Sequence, residues 1–197
     1  MNAGVRGVNT GHPGAQQQRR QISRDREALG RSRGGLSTKV HLLADGRSRP
    51  LVHVLSPGQR GDTLAYALLM ARRTVPRRRP GPARTRPDRL IADKAYSAAG
   101  LRSDLRRRRI RATIPTPDDQ VGHRRRRASR GGRPPAFDAE AYKQRNTVER
   151  AINRLKDHRA VAMRTDKRGY VFAGTITVAA IRIWLCDLSR QDRSDRP

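Results

Sequence analysis

The chain reads as an α/β fold, and three observations lead there. LSTKVHLLAD (36–45) sets Leu36, Thr38, Val40, Leu42 and Ala44 alternately against Ser37, Lys39, His41 and Leu43, the period of a strand with one buried face. Asp45-Gly46 then marks a tight turn before a second apolar run, RPLVHVLSP (49–57), so the two runs form a β-hairpin. RLIAD (89–93) and IRATIP (110–115) are short apolar runs suited to strands covered on both faces, and helical segments lie between and after them.

Taken in order, residues 1–35 are rich in Gly, Gln, Arg and Ser without apolar periodicity, and they read as a flexible basic arm. After the hairpin, Asp62 is placed to N-cap a helix over TLAYALLMARR (63–73). PRRRPGPARTRP (76–87) reads as a Pro/Arg loop, and SAAGLRSDLRRRR (97–109) as the second helix. Residues 116–137 read as a long basic loop. A helix is expected from Asp138 to about His158, and a last one over 171–187, with a disordered tail at 188–197. The order β-β-α-β-α-β-loop-α-α matches the back half of a ribonuclease-H-like layout, a mixed sheet flanked by helices with its first central strand missing. Residues 36–187 would form that one domain.

Composition narrows the function classes. Forty-five basic residues against 17 acidic ones give a formal charge of +28, which points to a polyanionic partner, DNA or RNA. Forty of the cations are arginine, the bias that GC-rich coding produces by itself, so charge alone does not settle the matter. A single cysteine, Cys186, excludes a disulfide framework and a zinc cluster of the CxxC kind. The N-terminus lacks the apolar core of a signal peptide, and the apolar run VFAGTITVAAI (171–181) is too short to span a bilayer. A soluble cytoplasmic protein, nucleoid-associated and without a membrane partner, is the expectation.

Only three of the acids are glutamates, and one of them, Glu149, sits in YKQRNTVERAINRLK (142–156) among cations. On one continuous helix, Tyr142, Arg145, Glu149, Asn153 and Lys156 share a stripe. Ala141, Val148, Ile152 and Leu155 form an adjoining core-facing stripe. From periodicity alone, Glu149 is more simply one half of an i,i+4 ion pair with Arg145 than a ligand. Asp93, closing a strand before a helix, is likewise more simply an N-cap.

The spacing of Tyr142, Arg145, Glu149 and Lys156 resembles in full the Tyr-Arg-Glu-Lys signature of bacterial insertion-sequence DDE transposases, of the IS4-like kind. GRSRGGLSTKVHL (30–42), GQRGDT (58–63), PDRLIADKAYS (87–97), RRRIRATIP (107–115), SRGGRPPAFD (129–138) and NRLKDHRAVAMRTDK (153–167) are similar to further blocks of that family, in order. The resemblance implies a ribonuclease-H-like domain that cleaves and joins DNA strands at the ends of an insertion sequence. Its Asp-Asp-Glu carboxylates hold two Mg²⁺ or Mn²⁺ ions, which activate the attacking oxygen and stabilise the leaving one. Asp93 corresponds to the second aspartate and Glu149 to the glutamate, both as catalytic metal ligands. Arg145 and Lys156, with Tyr142 and Asn153 beside them, would contact double-stranded DNA, either the element's ends or its target. No small-molecule cofactor is implied, and a homodimer is admitted.

The first aspartate of the family would fall at about Met1 or Asn2, neither of which is an aspartate. Asp25 lies in the arm and Asp45 in a turn, which makes both poor substitutes. The expectation is therefore an N-terminally truncated transposase, inactive alone. Two alternatives stay open: a remnant that binds DNA through its arginines without cleaving it, and a basic RNA-binding protein. The second has few aromatic residues with which to stack bases. The arginine runs at 76–86, 106–109 and 123–133 suit either phosphate contacts or solvated loops. The one at 123–133 is the favoured contact, because it precedes the glutamate helix. His41, His53, His123 and His158 share no spacing and read as structural or surface residues.

Overall fold

The computed structural model describes residues 27–75 and 80–194. Strands β1 (Gly30–Ser32), β2 (Gly35–Ala44) and β3 (Pro50–Pro57) form an antiparallel sheet in the order β1-β2-β3. The expected hairpin is thus present, and its turn is closed by Asp45. One carboxylate oxygen of Asp45 accepts from the amides of Arg47 and Arg49 at 3.0 and 2.9 Å, a local bond that aspartate makes readily in turns. β1 lies inside the segment read as a flexible arm. Gly35, at φ 101°, provides the left-handed turn that folds it back on β2, and two adjacent glycines hid a three-residue strand with no apolar alternation.

Helix α1 (Thr63–Arg72) packs on β2 and β3. Asp62 precedes it but does not cap it: its backbone is helical, and its side chain bonds Lys39 Nζ at 2.8 Å. A charged partner across the sheet has outcompeted the local amides. Strand β4 (Arg89–Ile91) runs parallel to β5 (Arg111–Thr113), connected through a 3₁₀ turn (Lys94–Tyr96) and helix α2 (Ala99–Arg107). Met70, Leu101, Leu105, Ile110 and Ile114 form the core beneath this pair.

The stretch read as a basic loop contains helix α3 (Asp118–Arg126). Its signals were present in the sequence: Pro117 just before it, two aspartates in the first turn, and His123 with three arginines in the last. These charges complement the helix dipole. The long helix expected from Asp138 is instead two, α4 (Ala139–Lys143) and α5 (Asn146–Lys156). Between them Arg145 N–H bonds the Tyr142 carbonyl and Thr147 N–H bonds that of Gln144, both i−3 partners. The Thr147 hydroxyl also donates to the Gln144 carbonyl, which tightens the turn out of α-geometry.

Helices α6 (Arg159–Met163) and α7 (Gly169–Ser194) complete the chain. Helix α7 overruns both ends of its expected span, and Gly169–Gln191 has the length and composition to cross a membrane, its most apolar 18-residue stretch having a mean hydropathy of 1.6. The reading of its apolar run as too short therefore fails for the helix as formed. Its inner face places Phe172, Ile176, Ala179 and Ile183 against Leu155, Val161, Val40, Leu42 and Leu55. Two polar clamps hold it there. Glu27 accepts from the Gly169 amide at 2.6 Å and from Arg168, and its carboxyl lies below the ordinary range, chiefly because of the Arg168 bond. Trp184 donates to the Pro50 carbonyl at 2.7 Å beneath the Arg49 guanidinium.

His41 is a buried tie between elements, as its lack of ligand spacing suggested. One ring nitrogen meets Ser56 Oγ on β3 at 2.7 Å, and the other meets Tyr96 Oη at 3.3 Å. Burial pushes the Tyr96 phenol up to about 12, helped by Asp62 and Asp93. The 3₁₀ turn after Asp93 is thereby anchored to the first sheet.

Truncating the fully buried Leu105 to alanine should cost about 2–5 kcal/mol, read as a lower urea midpoint at unchanged slope. A cost under about 0.5 kcal/mol, the range of surface substitutions, would place Leu105 outside the core. Burial holds His41 and His53 below their ordinary pKa, so the folded protein needs both rings neutral while the unfolded chain protonates first. Their contribution is intact above about pH 6.5 and is lost as pH falls below it towards the folded values. Between about pH 7 and 5 the urea midpoint should fall, and His41→Asn should flatten part of that slope. Glu27 titrates below 4.5 and stays out of this window. An unchanged slope in the variant would contradict the account.

Candidate functional site

The second strand pair delivers Asp93. It follows β4, and one of its oxygens accepts the Lys94 amide at 2.6 Å, N-capping the 3₁₀ turn. The other oxygen points across to Arg145, 4.0 Å from the guanidinium. Capping thus uses one oxygen of the carboxylate and leaves the other facing Arg145.

Glu149, in the first turn of α5, accepts from the same Arg145 nitrogen at 2.6 Å. Distances of 2.6 and 4.0 Å from one nitrogen, laid end to end, place the two carboxylate oxygens at most about 6.6 Å apart. Both acids are about half exposed. Arg145 stands at the N-cap of α5, where its side chain makes no capping bond and is left to reach both acids.

Tyr142 lies one turn earlier, on α4, its ring 5.2 Å from that of Phe137. Burial raises its phenol pKa, and it feels Arg145, Asp93 and Glu149 together. Asn153 and Lys156 sit farther along α5, exposed, and line no part of the groove described next. The structure therefore gathers Asp93, Tyr142, Arg145 and Glu149, and leaves the other two outside.

A groove of about 450 Å³ opens in front of these acids, lined by Lys39–Leu43 of β2, Leu90–Asp93 at β4, and Arg145, Val148, Glu149 and Ile152. Consecutive residues of β2 and of β4 line it. A strand face would show only every second residue, so the space lies against two strand edges. It runs into a second cavity of about 540 Å³, sharing Leu42, Leu43, Leu90, Ile91, Arg145 and Val148. Arg73, Arg84, Arg86 and Arg89 line that second part. Asp45 and Asp88 line that second part too, so the furrow runs from an acidic end to one in which arginine predominates.

One feature escapes the sequence reading, which leaves a second open. Asp62 lines the acidic end, held by Lys39. Arg84 and Arg86 line the basic end, whereas α3, from the favoured arginine run, lines neither cavity. The signal for the pair was the β-bridge Val75–Arg84, which folds the Pro/Arg loop over the furrow, and no local pattern announces such a contact.

The donor chemistry suits a hard divalent cation, which is typically held by one or two carboxylates and completed by water and substrate phosphate. Among the described residues no group of three or more acids, histidines or cysteines joins them. The position expected for the first aspartate, Met1 or Asn2, lies outside those residues.

Comparison with known proteins agrees with this picture. Residues 7–184 match the family described as Transposase DDE domain. The chain is also 30% identical over 151 residues to a Brucella ovis protein named as a transposase for insertion sequence element IS6501, a match covering 76% of this chain and 99% of that protein. No solved structure matches it. With 178 consecutive positions matched to one family, the furrow and its paired acids sit inside the matched span: the chain belongs to the Transposase DDE domain family, enzymes that act on DNA.

Proposed function

We propose that this chain carries the catalytic domain of an insertion-sequence transposase of the IS4-like kind, which cuts and joins DNA at the element's ends. The observation that carries the reading is the approach of Asp93 and Glu149 to within about 6.6 Å around one guanidinium, at the mouth of a furrow with a basic far end. The fold reading is ribonuclease-H-like. The antiparallel sheet β1-β2-β3 followed by the parallel pair β4-β5, joined through helix α2, supports it.

Asp93 and Glu149 would hold Mg²⁺ or Mn²⁺. When bound, a divalent ion activates the oxygen that attacks the scissile phosphate and stabilises the one that leaves. The protein's own residues do the rest. Asp93 keeps one oxygen on the Lys94 amide, which fixes the direction of the other. Arg145 balances the two acids and is within reach of a phosphate set between them, where its fork can take two oxygens. Tyr142, packed against Phe137, lines neither cavity but stands close enough to feel Asp93, Arg145 and Glu149 together. Arg84 and Arg86 track the phosphate backbone away from it. Lys156 and Asn153, two turns and one turn beyond Glu149 on α5, contact DNA outside the furrow.

A second reading, DNA binding without cleavage, is favoured by one observation: two acids rather than three meet here among the described residues. One experiment separates the two. Duplexes from the termini of the encoding element should be nicked by the purified chain with Mn²⁺, and Asp93→Asn or Glu149→Gln should reduce nicking to background while duplex binding persists. Binding without nicking by the unaltered chain selects the second reading. Arg84→Ala/Arg86→Ala should also lower the salt slope of duplex binding, by about 0.9 for each phosphate left without its arginine. An unchanged slope would remove these arginines from the DNA path.

A further inference from the structure

The acidic end of the furrow holds two cations, Arg145 at the start of α5 and Lys39 of β2. Lys39 Nζ donates to Asp62 Oδ1 at 2.8 Å and to the Arg60 carbonyl at 2.9 Å. Among the described residues these two acceptors leave one of the ammonium's three donors for a ligand. The side chain is 40% exposed and lines the same groove as Asp93 and Glu149, which offers that donor to whatever the groove takes in. Asp62 makes no capping bond to α1 and is itself partly exposed, so its pair with Lys39 adds little to stability.

Charge says which class of ligand that donor suits. Three carboxylates, Asp62, Asp93 and Glu149, against two cations, Lys39 and Arg145, leave this end with one net negative charge. A divalent ion held by the acids reverses that sign, and one phosphodiester then balances it. Tyr96 lies within electrostatic reach of both Asp62 and Asp93, so the Lys39–Asp62 pair and the acid pair share one neighbourhood. A lysine suits the position, because its flexible stem turns one donor toward an incoming oxygen while another stays on Asp62.

We infer that Lys39 is a further substrate-contacting residue of this site. Its free ammonium donor holds a non-bridging oxygen of the phosphate that Asp93 and Glu149 address, while Asp62 keeps the ammonium at the furrow. The inference rests on the DNA-cleaving reading for the identity of that phosphate. Arg145 and Lys39 then take the phosphate from two elements, α5 and β2, which fixes its orientation more tightly than one cation does.

The test is duplex binding by the full chain, read by fluorescence anisotropy with Ca²⁺ in place of Mn²⁺ so that the strand stays whole. Two duplexes from the element's terminus are compared, one natural and one with a single uncharged methylphosphonate at the scissile position. Wild type should bind the neutral duplex more weakly. In Lys39→Gln that penalty should be about tenfold smaller, the worth of one hydrogen bond between charged groups. Lys39→Arg, which keeps the charge, should restore it. Equal penalties in wild type and Lys39→Gln overturn the proposal and leave Lys39 a structural tie to Asp62, and so does a wild type that shows no penalty. Should the single variant fail to fold, Lys39→Gln/Asp62→Asn, which leaves no orphaned carboxylate, decides by the same comparison. A wild type that does not nick the natural duplex in Mn²⁺ contradicts the DNA-cleaving reading, and the two penalties still decide Lys39.

Discussion

The site depends on two carboxylates being kept side by side. Two like charges about 6 Å apart repel by under 1 kcal/mol where water screens them and by about 3 kcal/mol at an effective dielectric near 20. Asp93 and Glu149, both half exposed, lie between those limits. Arg145 offsets the repulsion by standing 2.6 Å from one and 4.0 Å from the other. It reaches Glu149 as an i,i+4 partner, and the direction of Asp93 depends on the 3₁₀ turn tied to His41 through Tyr96. The acid pair therefore rests on elements from both sheets. The interaction that neutralises it is also the one a cation would replace.

Around this pair the charges are sorted along one furrow. Asp62, Asp93 and Glu149 line one end with Lys39, and Arg73, Arg84, Arg86 and Arg89 line the other with Asp45 and Asp88. Some of these cations already have partners: Arg89 bonds Asp138, which caps α4, and Arg84 lies 3.5 Å from Asp88. The arginine excess that coding bias alone could produce is thus partly placed where a polyanion would lie. It is also partly built into the frame, as with Arg49 stacked on Trp184 and paired with Asp45.

Much of this was legible in the sequence. The apolar run over 36–44 gave β2, although its buried residue, His41, lies on the face read as polar and Leu36 of the expected inner face is exposed. The apolar run RLIAD gave β4 and located Asp93. The spacing from Tyr142 to Glu149 gathered residues that the structure brings together. What escaped depends on competition that no local pattern displays. Asp62 had two available partners, and a lysine on the neighbouring strand won. The helix over 138–158 broke because the Thr147 hydroxyl and i−3 bonds stole carbonyls from the α-pattern. Helix α3 was hidden by its own arginines, which read as loop although they complement its C-terminal dipole. Helix α7 overran its expected span at 169–170 and 188–194, a mostly polar extension that apolar patterning does not report.

The central claim is that Asp93 and Glu149 form one cation-binding position. Crystals of the full chain soaked in Mn²⁺ and measured at the manganese absorption edge test it most directly. The account predicts an anomalous peak bonded to oxygens of both Asp93 and Glu149, with the Arg145 guanidinium turned away from them. Manganese bound elsewhere, or an Arg145 bridge left intact at saturating Mn²⁺, would contradict it.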